Sequence, residues 1–227
     1  MLPLKDMNPP RGFPLVNYCI IGVCVLVFLY ELQLGGRIEE FMRSYGLIPV
    51  RYTRPAIAAH FSLGEQILPF FSSMFLHGGW FHLFGNLWML YIFGDNVEGE
   101  MGHARYGAFY VISGLIAAVI QVIFNPSSSI PTVGASGAIA GIMGAYFMLY
   151  PGAKILTFIP VFFIPYLIVV PAYVFLGFWF IMQFFSGAFS LLDSGNRVAG
   201  VAWWAHVGGF VGGALLLNLF KETSRYR

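Results

Sequence analysis

The chain has 227 residues, of which 58% are hydrophobic and only 10% charged; its mean hydropathy is +0.75 and its formal net charge +2. Soluble domains carry about 25% charged residues, so the composition weighs against a soluble enzyme and points to a polytopic membrane protein. No basic run interleaved with aromatics offers a surface to nucleic acid, and Cys19 and Cys24, the only cysteines, have neither zinc-knuckle nor CxxC spacing, so neither a disulfide framework nor a metal site is expected.

A helix needs about 20 apolar residues to cross the hydrocarbon core. Gly12 to Tyr30 is free of charge and is read as a retained first span, since no small-x-small cleavage site follows it. The next connection, from about Gly35 to Ser73, is too long for a hairpin. It mixes Phe41, Leu47, Ile48, Ile57, Phe61 and Leu63 with Arg, Glu and His60, a pattern that predicts short helices in the membrane interface. Gln66 to Gly94 lacks Asp, Glu, Lys and Arg and gives span two, starting near Trp80.

Tyr106 to Ala153 is uncharged over 48 residues, too long for one helix. The breaker cluster from Asn125 to Pro131 splits it into span three (about Tyr106 to Phe124) and span four (about Ser136 to Tyr150). Ile155 to Leu192 holds span five. Its front is crowded by Pro160, Pro165 and Pro171, and its helix is expected over about Pro165 to Phe185. Val198 to Phe220 is span six. The expectation is an all-α bundle of six transmembrane helices over 1–227, with a long interfacial loop after helix 1 and no separate soluble domain.

Basic residues orient the spans weakly. With the N-terminus inside, Lys5, Arg11, Arg105, Lys154, Lys221, Arg225 and Arg227 are inner, against Arg37, Arg43, Arg51, Arg54 and Arg197 outside. That excess predicts both termini on the cytoplasmic side. The expected location is an integral, multi-pass position in a prokaryotic cell (inner) membrane.

Polar groups at membrane depth are costly and mark functional candidates. Ser136 opens span four in Gly134-Ala135-Ser136-Gly137, and His206 opens span six in Ala205-His206-Val207-Gly208-Gly209. A serine hydroxyl becomes a useful nucleophile when a base within about 3 Å takes its proton. Small residues let membrane helices approach closely. Gly137 and Gly141 on span four, and Gly209 and Gly213 on the His206 face of span six, therefore predict close packing that brings Ser136 and His206 together. His82 and Asn86 share one face of span two and can donate hydrogen bonds, as can the Ser136 amide at a helix N-terminus. These are three candidate donors to an oxyanion.

Each residue also has a plainer reading. Ser136 and the glycines could serve packing alone, and His206, His82 and Asn86 could satisfy neighbouring helices. His60 and His103 read as ordinary loop residues. Gly134 to Ala138 is not GxSxG, HExxH is absent, and zinc on His77, His82 and His206 would lack carboxylate or thiolate partners.

Taken together, three stretches resemble the rhomboid family of intramembrane serine proteases. They are Gly134-Ala135-Ser136-Gly137, Ala205-His206-Val207-Gly208-Gly209 and His77-Gly78-Gly79-Trp80-Phe81-His82-Leu83-Phe84-Gly85-Asn86. Glu98, Gly102 and Arg105 resemble the family's turn after span two, and the likeness is strongest over 72–220. It implies a cofactor-free dyad with Ser136 as nucleophile and His206 as general base and acid, and an oxyanion hole of His82, Asn86 and the Ser136 amide. It also implies transmembrane or membrane-anchored protein substrates in the lipid bilayer; the oligomeric state is not indicated. Pro171, Trp179 and Gln183 resemble the family's fifth helix, which makes Phe178, Trp179 and Phe180 candidate gate side chains. The chain departs from many members in having no Trp between Glu31 and Gly79, where they carry a Trp-Arg pair. A non-catalytic, client-binding protein of the same fold is the alternative, although such proteins usually lack the Ser or the His. A transporter or channel is disfavoured by the absence of charge within the assigned spans and of an inverted repeat.

Overall fold

A computed structural model describes residues 1–161, 164–192 and 201–222. Strand β1 (Leu2–Asp6) precedes helix α1 (Leu15–Gln33). A 3-10 turn over Gly35–Arg37 and four short helices follow: α2 (Ile38–Tyr45), α3 (Val50–Thr53), α4 (Pro55–Ala58) and α5 (Leu63–Ser72). A second 3-10 turn (Ser73–Phe75) leads to α6 (Trp80–Met101), α7 (His103–Phe124) and α8 (Ser136–Leu149). Strands β2 (Lys154–Val161) and β3 (Ile164–Pro171) precede α9 (Ala172–Leu192) and α10 (Trp203–Phe220).

The protein is a mostly helical membrane bundle. Among the described residues, four helices (α1, α7, α9 and α10) are long and apolar enough to cross a membrane by length and composition. Helix α6 has 22 residues but ends in Asp95, Glu98 and Glu100. Helix α8 has only 14 residues. At 1.5 Å per residue it is about 21 Å long, short of the roughly 30 Å hydrocarbon core.

Glycine decides how the central helices pack. A Cβ on Gly209 or Gly213 of α10 would overlap the carbonyl oxygen of Gly137 or Gly141 on α8, and one on Gly144 of α8 would overlap that of Phe210. The neighbouring pair Gly208 and Gly212 meets Ile120 and Ile116 of α7. On their side-chain side, Gly137 and Gly141 face Ala117 and Ser113, also of α7. Each glycine helix thus serves two neighbours, and α8 is buried almost throughout its first eleven residues.

Span five departs from expectation at its front. Strands β2 (Lys154–Val161) and β3 (Ile164–Pro171) pair antiparallel, and the helix begins at Ala172 rather than near Pro165. Strand β1 adds an antiparallel edge, giving the order β1-β2-β3. The physical reason lies in Pro160, Pro165 and Pro171 and in the β-branched residues between them. Proline removes a helix hydrogen bond wherever it falls in a helix interior, whereas Val and Ile suit a pleated surface. Pro160 and Pro165 pair with each other across the two strands.

Three helices also extend or start differently from the expected spans. Helix α1 runs on through Glu31, α6 runs to Met101, and α10 starts at Trp203 rather than Val198. Glu31 and Glu98 are buried within α1 and α6. Glu98 accepts hydrogen bonds from the Val16 and Asn17 amides at 2.9 and 2.8 Å and also bonds His103. It thereby satisfies orphan N–H groups at the start of α1. Arg197, Arg225 and Arg227, used above in the charge balance, and Val198 lie outside the described residues.

The connection after α1 does hold short helices. Ser62 and Glu65 form a capping box on α5, Ser62 accepting from the Glu65 amide and Glu65 accepting from Ser62. Within this connection Arg51 donates to the Arg43 carbonyl at 2.6 Å and stacks over Phe61 at 4.3 Å. The Arg51 guanidinium is pushed below its ordinary pKa, first by burial and further by Arg43.

Candidate active site

Ser136 is the first residue of α8, and no side chain caps that helix end. Its N–H therefore belongs to the orphan donors of a helix N-terminus, where the helix dipole is positive. The preceding segment is tied down on two sides. Leu47 and Thr132 exchange both backbone hydrogen bonds, at 3.0 and 2.7 Å, and the Gly134 amide donates to the Ser73 carbonyl at 2.8 Å. Gly134 has φ +122°, a backbone conformation that glycine adopts without steric cost.

The glycine contact between α8 and α10 brings the two polar side chains together. His206 Nε2 lies 2.8 Å from Ser136 Oγ, across 70 residues of sequence. The other ring nitrogen, Nδ1, lies 2.8 Å from Gln183 Oε1 on α9. Ala205, beside His206, donates its amide to Gln121 Oε1 on α7 at 3.2 Å, which anchors the first turn of α10. A cavity of about 30 Å³ lies behind Ser136, lined among others by Ser73, Thr132, Gly134 and Gly137; a void of that size holds about one or two waters.

His82 and Asn86 reach the same place from α6. A Cβ placed on Gly134 would come within 2.5 Å of His82 Nε2 and 3.4 Å of Asn86 Nδ2. Glycine at 134 therefore keeps open the space into which both donors point. The Gly78 amide donates to His82 Nδ1 at 3.4 Å, which leaves the imidazole proton on Nε2, facing Gly134. Asn86 is 7% exposed, and its buried Nδ2 has no hydrogen-bond partner among the described residues. A buried amide donor with no acceptor is costly, and it faces a site where an oxygen could sit.

The loop feeding α6 has its own anchor. Glu31, near the end of α1, accepts from the His77 amide at 3.2 Å, and His77 Nδ1 lies 3.2 Å from the Phe75 carbonyl. The His77 and His82 rings meet edge to face at 5.3 Å. Of the three aromatic residues named as gate candidates, Trp179 and Phe180 turn inward, with Phe210 at 6.1 and 4.9 Å respectively, and Phe178 is exposed on the outer side of α9. His103, expected as a plain loop residue, is a partner of Glu98. His60 lies in the turn after α4, its amide donating to the Ile57 carbonyl at 3.1 Å.

Reasoning from sequence did not assign the Gln183 and Gln121 contacts or the Glu31 and Glu98 anchors. Two signals point toward them. A buried amide in an apolar helix needs a partner, and so does a carboxylate close to a helix end.

Fold and site together define a polytopic helical membrane protein with a serine hydroxyl hydrogen-bonded to an imidazole between two glycine-packed helices. The family model described as Rhomboid domain matches residues 64–222, well over half of the chain, and the chain belongs to the rhomboid family. It is 42% identical over 74 residues to RHOMBOID-like protein 5 of Arabidopsis thaliana, covering 33% of this chain and 24% of that protein. It is 27% identical over 147 residues to Rhomboid protein 1, mitochondrial, of Saccharomyces cerevisiae, covering 63% of this chain and 38% of that one. Rhomboid-related protein 2 of Mus musculus is 37% identical over 84 residues, 37% of this chain and 27% of the relative. The chain thus spans well under half the length of these relatives.

Proposed function

We propose that the protein is an intramembrane serine endopeptidase that cleaves transmembrane or membrane-anchored protein substrates near the outer membrane face. Ser136 Oγ attacks the scissile carbonyl while His206 Nε2 takes its proton. The tetrahedral oxyanion is held by His82 Nε2–H, Asn86 Nδ2–H and the Ser136 amide. His206 returns the proton to the leaving amine, an acyl-enzyme forms on Ser136, and water releases it by the reverse sequence. The observation that carries this reading is the 2.8 Å approach of His206 Nε2 to Ser136 Oγ. The unpartnered Asn86 Nδ2 supports the oxyanion assignment.

Helix α8 supports the position of the reaction. If its C-terminal end reaches one face, its roughly 21 Å length leaves Ser136 about 10 Å below the other. A substrate helix hides its carbonyls in hydrogen bonds, so it must unwind before Ser136 can reach one. The gate reading of Phe178, Trp179 and Phe180 belongs to this proposal, as does the assignment of the chain to one membrane domain. The orientation with both termini cytoplasmic, in a prokaryotic cell membrane, rests on the balance of basic residues alone.

The test is proteolysis of a single-span substrate co-reconstituted with the full chain in liposomes. Cleavage is expected with the wild type and none with Ser136→Ala, and the rate should rise when a glycine or proline is placed beside the scissile bond. Equal cleavage by Ser136→Ala, or indifference to helix-stabilising substitutions at that bond, would contradict the reading.

A further inference from the structure

Helix α9 supplies two side chains that touch the imidazole of His206. Gln183 Oε1 lies 2.8 Å from Nδ1, and both residues are 8% exposed. Trp179 sits one turn earlier, on the same helical face, with its ring centroid 5.8 Å from that of His206 and the planes 36° apart. Trp203, on α10 itself, meets the ring edge to face at 6.3 Å. The imidazole is thus held on one nitrogen by an amide and on its sides by two indoles.

A neutral imidazole carries one proton. To accept from Ser136, Nε2 must offer its lone pair, so Nδ1 must carry the N–H. An amide oxygen at Nδ1 favours that tautomer, because it accepts a hydrogen bond and cannot donate one. With the proton on Nε2 instead, two lone pairs would meet at the Gln183 contact. A carboxylate in the same place would accept more strongly, but an ionised group in this apolar, buried setting carries a heavy desolvation cost. An amide gives the acceptor without the charge.

We infer that Gln183 is a positioning residue: its side-chain carbonyl holds His206 as the Nδ1–H tautomer and fixes the ring plane against Ser136, with Trp179 as the adjoining wall. The inference rests on the proposed dyad. It gives α9 a second role besides its place as a candidate gate, since outward displacement of α9 would withdraw Gln183 and Trp179 from His206 together. Among the described residues, the groups facing His206 are Ser136 of α8, Gln183 and Trp179 of α9 and Trp203 of α10. Among the described residues, His82 of α6 is the titratable side chain whose charge bears on it.

The test measures the rate of labelling by a serine-reactive fluorophosphonate, on the full chain in liposomes, for the wild type, Gln183→Leu and Gln183→Glu. Gln183→Leu is expected to slow labelling about 10–100-fold, a part of the 10²–10⁴ that a positioned base supplies. Gln183→Glu restores an acceptor at Nδ1. It is expected to bring the rate back to within a few fold, because a carboxyl oxygen again accepts from Nδ1–H whether or not the group is ionised. A glutamine that only filled space would be replaced by the apolar Gln183→Leu without loss of rate, and any loss would not be reversed by Gln183→Glu. Wild-type labelling with an unchanged Gln183→Leu rate, or no recovery of rate in Gln183→Glu, overturns the role of Gln183 and leaves the dyad standing. No labelling of the wild type overturns the dyad, and this inference with it.

Discussion

The two ends of the bundle are built on opposite principles. At the end where α8 begins, the helices meet through absent side chains: Gly137, Gly141, Gly209 and Gly213 let α8 and α10 touch backbone to backbone. At the end where α8 finishes, order comes from strand pairing and side-chain hydrogen bonds. Strand β1 pairs with β2 across about 150 residues of sequence, and Tyr146 donates to Asp6 at 2.8 Å while accepting from Asn8 at 3.2 Å. The first kind of contact is intolerant of a single added carbon. The second spreads its stabilisation over many bonds. The rigid end holds the candidate chemistry, as a proton transfer over about 3 Å requires.

The comparison breaks most sharply at Gly209. Gly209→Val would drive a branched side chain into the Gly137 carbonyl. Overpacking of this kind costs about 1–3 kcal/mol or more and pushes His206 away from Ser136. Proteolysis is expected to fall more than about 100-fold, since a misplacement of about 1 Å already costs that much. Gly36 of the interfacial connection has open space around it, and Gly36→Ala should leave both unfolding temperature and rate near wild type. Equal tolerance at the two glycines would refute the contrast.

Next in size is Asn86→Ala. Removing one oxyanion donor typically costs about 10²–10³ in kcat, and here it also removes a buried, unpartnered donor. The expectation is a loss of about 100-fold in kcat with stability unchanged or slightly raised. Full retention of kcat would remove Asn86 from the site.

The smallest expected effect lies at the other end. Burial pushes the Asp6 carboxyl up to about 6, with Asp95 adding to the rise and the Tyr146 hydrogen bond opposing it. The folded protein therefore keeps a proton on Asp6 up to about pH 6, whereas the unfolded chain releases it near 3.8. In that window the folded state binds more protons, so stability falls as pH rises through it. Thermal unfolding should show a loss of about 1 kcal/mol between pH 4 and pH 7, after allowance for solvent screening. Asp6→Asn should flatten that slope without changing the proteolytic rate at a given pH. A slope that persists in Asp6→Asn would place the titration elsewhere.

The two ends also differ in how far they could be read from the chain. Spans two, three and four are visible as uncharged runs, and their helices start or stop close to the expected places at Trp80, Phe124 and Ser136. The closeness of Ser136 and His206 follows from glycines at helical spacing, a local signal. The pair of strands β2 and β3 was hidden because a membrane protein has few polar residues with which to mark a strand's alternation. Its outward residues Tyr166, Leu167 and Val169 are as apolar as its buried Ile155. Its pairing with β1 depends on residues far away in sequence, which no local pattern reports. The same holds for Gln183. An amide in an apolar helix announces that it needs a partner, but only packing determines that the partner is His206.

The central claim is that Ser136 and His206 share one proton across the α8–α10 contact. Fluorophosphonate labelling of the full chain in liposomes tests it most directly. The account predicts a covalent adduct on Ser136 in the wild type, none in Ser136→Ala, and labelling slowed about 10²–10⁴-fold in His206→Ala. Undiminished labelling of His206→Ala, or an adduct that persists in Ser136→Ala, would contradict it.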